Sequence, residues 1–211
     1  MGEQPAGDVQ RAELFSVPMW TAAVEPKTAW INDLVTDIDA LLDTGDLDFS
    51  ESAGNQTLPN LQERQEPHWG EFFKFVGSAF EEIARTAPQL RWPHHGLRSW
   101  GLRVDQASSA KDLRQGPGRT LLTHNHAPAL LTSVFTCELP DLPAAQELST
   151  VFYNPVAHAV CPWQERVALV SPKVGVLTVF PGWIEHAAPL VVPLASGQRR
   201  VIISTDYFPE M

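Results

Sequence analysis

His124 and His126 stand one residue apart in the segment THNHAPALLTSVFTCEL, and His186 follows much further along in VFPGWIEHAAPLVV. In extended backbone, residues i and i+2 project to the same face, so His124 and His126 can serve one target. Neutral imidazole is a ligand for borderline divalent metals such as Fe, Zn and Cu. A histidine pair on one strand, joined by a third histidine from a distant strand, makes a facial metal site at a barrel mouth and leaves one side open to substrate or oxygen. The plain alternative is that these histidines are exposed or bonded for structural reasons. Arg199 and Arg200 lie in GQRRVIIS. A guanidinium that enters an apolar interior calls for a planar anion held bidentately by its fork. Strand alternation sends one of the two inward and the other outward.

Short strands must position these groups. After Pro93 the chain breaks into β-like runs at 97–104, 130–139, 150–153, 166–171, 174–180, 187–192 and 199–205, with prolines at or between their ends. An all-β sandwich or barrel has this pattern. Upstream, residues 28–43 space Trp30, Ile31, Leu34, Val35, Ile38, Leu41 and Leu42 as one helix face, with Thr28 as N-cap. A second helix is predicted over 69–86, stopped by Pro88 and Pro93. Leu14–Trp20 reads as a short extended segment, and Gly45–Pro67 is polar without periodicity. The expected organisation is α+β, with a flexible N-terminus at 1–12 and one domain over 13–211. Within it, a helical layer spans 13–93 and the β-structure spans 94–211.

Composition narrows the function classes. With 211 residues, 44% of them hydrophobic and 19% charged, the chain is neither disordered nor fibrous. Lys+Arg 15 against Asp+Glu 25 gives a net charge of −10, which argues against nucleic acid and anionic membranes as partners. No stretch approaches the roughly 18 apolar residues of a membrane span, and the start lacks a signal-peptide pattern, so the expected location is cytoplasmic. Cys137 and Cys161 lack the spacing of zinc or redox motifs and read as buried thiols. The expected partner is a small-molecule substrate, and a homodimer is left open. The 18 prolines and seven tryptophans are unusual and need places in the fold.

The order of HxH, a short apolar strand, GVLTVFPGWIEH and RVIIS resembles the iron(II)- and 2-oxoglutarate-dependent oxygenases. It is similar in particular to a bacterial and phage group that carries H-x-H-P…S-G-V-Y-Y and G-x-L-x-x-F-P-S-W-L-x-H…R-I-S-I-S-F. The block of Phe180, Pro181, Trp183 and His186 is the most specific match; Leu14–Pro18 and Ser52–Thr57 are weaker ones. The resemblance implies a double-stranded β-helix, a jelly-roll or cupin-like barrel, carrying an N-terminal helical layer. It also implies iron(II), 2-oxoglutarate as cosubstrate and O2.

By the same resemblance, His186 is the distal iron ligand and Arg200 anchors the far carboxylate of 2-oxoglutarate. Arg199 is the substitute, because the Val191–Gln198 loop lengthens the usual spacing. His124 matches the leading histidine of the superfamily's H-x-D/E, and His126 then occupies the carboxylate's place. Either all three histidines bind iron, or one of the pair does and water or a distant carboxylate completes the sphere. Thr132, Thr136 and Tyr153 stand in for the missing tyrosine hydroxyls near the cosubstrate. Trp183 and Trp100 would wall the pocket.

Arg103, with Arg98, Arg114 and Arg119, either binds a carboxylate-bearing substrate or is an ordinary solvated charge, and 106–119 would form a lid. His94, His95 and His158 are read as structural or exposed. The implied reaction is hydroxylation of a small metabolite, such as an amino acid or a natural-product intermediate, with release of succinate and CO2. A peptide side chain is the second substrate class. Two other readings stay open: a cupin-type metalloenzyme that uses the same histidines without an oxo acid, and a non-catalytic barrel-fold binding protein.

Overall fold

Apolar residues three and four apart produce two α-helices, and alternating ones produce the strands that hold the histidines. The computed structural model describes residues 10–14, 17–44, 55–87, 96–106, 123–141, 148–155, 165–188 and 194–208. Helix α1, Ala29–Thr44, buries Ile31, Leu34, Val35, Ile38 and Leu42, the face that the periodicity predicts. The Thr28 hydroxyl donates to the Glu25 carbonyl at 2.6 Å and so serves the preceding turn. Helix α2, Pro67–Thr86, begins two residues earlier than periodicity predicts, with proline in the first turn, where its missing N–H is harmless. Asp37 of α1 accepts the Trp69 indole N–H at 2.6 Å, which ties α1 to α2.

The described residues hold ten strands, in chain order β1 Gln10–Leu14, β2 Val17–Ala23, β3 Asn55–Gln56, β4 Leu97–Val104, β5 Leu131–Glu138, β6 Thr150–Tyr153, β7 Val167–Val170, β8 Val176–Pro181, β9 His186–Ala187 and β10 Arg200–Tyr207. A seven-stranded sheet runs β1-β2-β8-β5-β10-β4-β3, and a three-stranded sheet runs β7-β6-β9. Every pairing between these strands is antiparallel. A single bridge from His124 to His186 adds one more backbone to the β9 edge of the small sheet.

Alternation along the central strands separates two interiors. Val201, Ile203 and Tyr207 of β10, with Leu131, Phe135 and Cys137 of β5, pack in one core with α1 and α2. There Trp30 stacks on Phe135 at 5.7 Å between ring centroids. Residues on the opposite face meet the small sheet and its flanks: Ile202 joins Leu102, Val104, Leu148 and Leu194, and Phe180 joins Phe152, Ile184 and Met19. The layers are therefore helices, large sheet and small sheet. Gly101 allows the first two to close, since a Cβ there would lie 2.9 Å from the Ile38 side chain.

Three expectations need correction. The N-terminal stretch expected to lack regular structure through residue 12 overlaps a strand, Gln10–Leu14, whose backbone pairs with β2 although its sequence carries almost no apolar signal. Within the aperiodic 45–67 stretch, Asn55–Gln56 pairs with β4, and a 3-10 turn at Leu61–Glu63 buries Leu61. The strand expected at 187–192 shortens to His186–Ala187, and 189–193 lie outside the described residues. Also outside them are the greater part of the expected lid (107–119), with Arg114 and Arg119, as well as His94, His95, His158 and Cys161. No helix among the described residues is long and apolar enough to cross a membrane.

Candidate metal centre

Backbone pairing brings the three histidines together. The His124 N–H donates to the His186 carbonyl at 3.0 Å, and the His186 N–H returns to the His124 carbonyl at 2.9 Å. The His126 N–H donates to the Gly182 carbonyl at 2.6 Å, just past the end of β8. A Cβ at Gly182 would run into the Ala129 carbonyl, so glycine is required for the 126–130 turn to sit against the β8–β9 connection. One ring nitrogen from each of His124, His126 and His186 can be chosen so that all lie within 4.8 Å of one another. The ring centroids are 4.4 to 5.2 Å apart.

Their hydrogen bonds determine which nitrogens face inward. His186 Nδ1 lies 3.1 Å from the Ile184 carbonyl, which can only accept, so Nδ1 carries the proton and Nε2 keeps its lone pair. His126 Nδ1 lies 2.8 Å from Asp206 Oδ1 and is held in the same sense. Metal-binding histidines show this arrangement, with one nitrogen for the metal and the other bonded outward. Trp100 lies parallel to His126, with a centroid distance of 5.7 Å and an interplanar angle of 15°.

Burial first, and then the neighbouring His124 and His126, pull the His186 imidazole from its ordinary 6.5 down to about 3. It is therefore neutral, as a ligand must be, across the physiological range. The unfolded chain binds this proton more readily than the folded one, so the stability of the metal-free protein holds above pH 6.5 and declines as pH falls towards 3. His186 alone accounts for a loss on the order of 4 kcal/mol over that window. Denaturant unfolding of the metal-free protein at pH 7, 5.5 and 4 should show the slope, and His186→Gln should flatten it.

β10 carries the other chemistry. Its even-numbered residues Arg200, Ile202, Ser204 and Asp206 point away from the helices, between the sheets. Arg200 is 5% exposed; its Nη1 reaches the Leu148 carbonyl at a long 3.4 Å, and its Nε has no partner. Burial lowers its pKa to about 10, so it stays charged at neutral pH. The cavity around it is lined by Val134, Phe152, Val170 and Phe180, with the hydroxyl-bearing Thr136, Thr150 and Thr178. The buried Ser204 hydroxyl, further along the same face, is also without a partner.

Other expected site residues lie elsewhere. Arg199 binds Glu138 at 2.8 Å and Asp39 of α1, so it is on the helix side. Arg103 does the same through Asp39 at 2.8 Å and Asp43 at 3.3 Å; it alternates with Trp100 and Leu102 and cannot share their pocket. Tyr153 is out of phase with Thr150 and Phe152, which line the Arg200 cavity. The Thr132 hydroxyl donates to Asp206 at 2.8 Å. Trp183 is 49% exposed and lines a separate groove with Pro18, Trp20 and Pro128. Sequence reasoning missed Thr150, Thr178, Ser204 and Asp206. Counting in twos from Arg200 along the strand would have found the last two.

No protein-family model matches the sequence, and no curated protein matches it either. Solved structures do match. A prolyl-4-hydroxylase from Pseudomonas putida aligns over 98% of this chain and 94% of its own, with TM-score 0.60 and 11% identity. The non-heme alpha ketoglutarate dependent carbocyclase SnoK from nogalamycin biosynthesis aligns over 89% and 78%, with TM-score 0.55 and 12% identity. HygX from Streptomyces hygroscopicus, with nickel and 2-oxoglutarate bound, aligns over 90% and 83%, with TM-score 0.50 and 11% identity. The chain has the fold of the 2-oxoglutarate-dependent iron oxygenases. At such identities the likeness concerns the fold, and the residues that make an oxygenase site have to be argued from this chain alone.

Proposed function

We propose that the protein is a non-haem iron(II)- and 2-oxoglutarate-dependent oxygenase that hydroxylates a small metabolite. The observation that carries this reading is Arg200, a buried, charged guanidinium with no anionic partner among the described residues, in the interior that the two sheets share with the histidines. An isolated buried cation is costly, so its cavity is built for an anion. The donor set fits the rest of the requirement. Three imidazoles suit a borderline divalent metal, and two buried groups without a partner among the described residues, Arg200 Nε and Ser204 Oγ, lie on the strand that runs from the cavity towards the histidines.

His124, His126 and His186 would hold the metal, and Arg200 would clamp the far carboxylate of 2-oxoglutarate through its fork. Thr136, Thr150 and Thr178 offer hydroxyls around that carboxylate, while Val134, Phe152, Val170 and Phe180 keep water from it. Ser204 would donate to the cosubstrate between its two ends. When bound, iron(II) and 2-oxoglutarate supply the oxidising chemistry, consuming O2 and releasing succinate and CO2. Trp100, flat against His126, walls the mouth on the β4 side. We read the two sheets, with the His124 backbone as a fourth member of the smaller one, as a double-stranded β-helix over 94–211 under the helical layer.

Dependence on 2-oxoglutarate separates this reading from a cupin-type metalloenzyme without an oxo acid, and turnover of any kind separates it from a binding protein. Purified protein loaded with iron(II) should convert 2-oxoglutarate to succinate in air, slowly even without the true substrate.

A further inference from the structure

We propose that Asp206 is a positioning residue of the metal centre: it returns, through His126, the negative charge that a three-histidine ligand set lacks. The inference rests on the three-histidine reading above. Where the oxygenases carry the carboxylate of H-x-D/E, this chain has the imidazole of His126. A carboxylate nonetheless reaches the same place from another strand. Asp206 lies on the inner face of β10, only 7% exposed, with Oδ1 2.8 Å from His126 Nδ1. The Thr132 hydroxyl donates to the same oxygen at 2.8 Å and fixes the carboxylate's rotamer. Among the described residues no lysine or arginine forms an ion pair with Asp206, whose Oδ1 is shared by His126 and Thr132.

The geometry leaves His126 little freedom. Asp206 accepts the hydrogen bond of Nδ1–H, Trp100 covers one ring face, and the backbone N–H is tied to Gly182. Nε2 is the nitrogen that remains for the cluster. A carboxylate on the far side of a ligating imidazole makes it a stronger donor, and loss of such a partner weakens metal binding by about 10–100-fold. Asp206 is therefore not a ligand itself, because its oxygen sits on the Nδ1 side of the ring.

Cobalt(II), whose absorption reports its ligand field, is the probe for the metal-free full-length protein. Asp206→Asn keeps the shape and removes the charge; it should bind cobalt(II) about 10–100-fold more weakly and shift the absorption bands. Asp206→Glu retains the anion and should recover part of the loss. Wild-type affinity and an unchanged spectrum for Asp206→Asn would overturn the proposal. If Asp206→Asn does not fold, the zinc(II)-loaded wild type decides by ring-nitrogen NMR: a protonated, hydrogen-bonded His126 Nδ1 is expected, and zinc on Nδ1 would refute it. A wild type that takes up no metal fails the three-histidine reading itself, a different result from a wild type that binds normally with an indifferent Asp206.

Discussion

Arg200→Met should weaken 2-oxoglutarate binding by at least about 100-fold while leaving metal uptake nearly intact. Breaking a buried charge pair by removing one member costs about 3–5 kcal/mol, which corresponds to roughly 100- to 1000-fold or more in affinity. Methionine fills the slot without offering a donor, so the cosubstrate's far carboxylate would meet apolar side chains and the hydroxyls of Thr136, Thr150 and Thr178. The same substitution should leave the ligand-free protein at least as stable, because it removes a buried cation that has no anionic partner among the described residues. Lower affinity without lower stability distinguishes a ligand site from a structural arginine. Arg199→Met should do the reverse: it breaks the ties to Asp39 and Glu138, costs on the order of 1 kcal/mol of stability, and leaves the affinity unchanged. Calorimetric titration of 2-oxoglutarate into manganese(II)-loaded protein, with thermal melts of each variant, reads both effects. Loss of affinity in the Arg199 variant alone would exchange the two assignments.

His124→Ala and His186→Ala should each reduce metal affinity by more than the roughly 10–100-fold expected for losing an outer-shell partner, and together they should abolish stoichiometric binding. The two histidines hold each other through paired backbone bonds at 3.0 and 2.9 Å, so truncating the side chains leaves the β9 edge in place. Circular dichroism should therefore match the wild type while metal content after dialysis falls towards zero. Unchanged metal content in the double variant would remove the histidine site altogether.

Much of this site is legible in the sequence because its signals are local. The two-residue spacing of His124 and His126 survives as a shared direction, and the apolar run after Arg200 marks a strand in which one of two arginines must be buried. The phase of the other strands is not local. Arg103 reads as well as Arg98 for a mouth residue until Gly101 is seen against Ile38, which turns the odd positions of β4 towards α1. Tyr153 fails for the same reason: Thr150 and Phe152 face the cavity, which leaves their odd-numbered neighbour out of phase. Asp206 needs more still, because its partner His126 belongs to a turn that only the β5–β10 pairing and the Gly182 contact bring beside it. Helix positions transferred well, since a heptad-scale apolar stripe records its own buried face. The edge strands β1 and β3 did not, because their sequences carry little apolar pattern and it is the backbone ladder that marks them.

The excess of tryptophan finds several separate uses. Trp69 and Trp30 build the core between the helices and the large sheet, Trp100 stacks on His126, and Trp183 lines the separate groove with Trp20. The net charge of −10, which disfavours nucleic acid, is unrelated to the pocket, where Arg200, with no anionic partner among the described residues, sets the local sign.

The most direct test of the central claim is succinate formation from 2-oxoglutarate by the purified, iron(II)-loaded protein in air, compared with Arg200→Met and the His124→Ala/His186→Ala double variant. The account predicts succinate that requires iron, oxygen and 2-oxoglutarate together and falls to background in both variants. Succinate at the same rate in either variant, or none from the wild type while it binds both iron and 2-oxoglutarate, would contradict it.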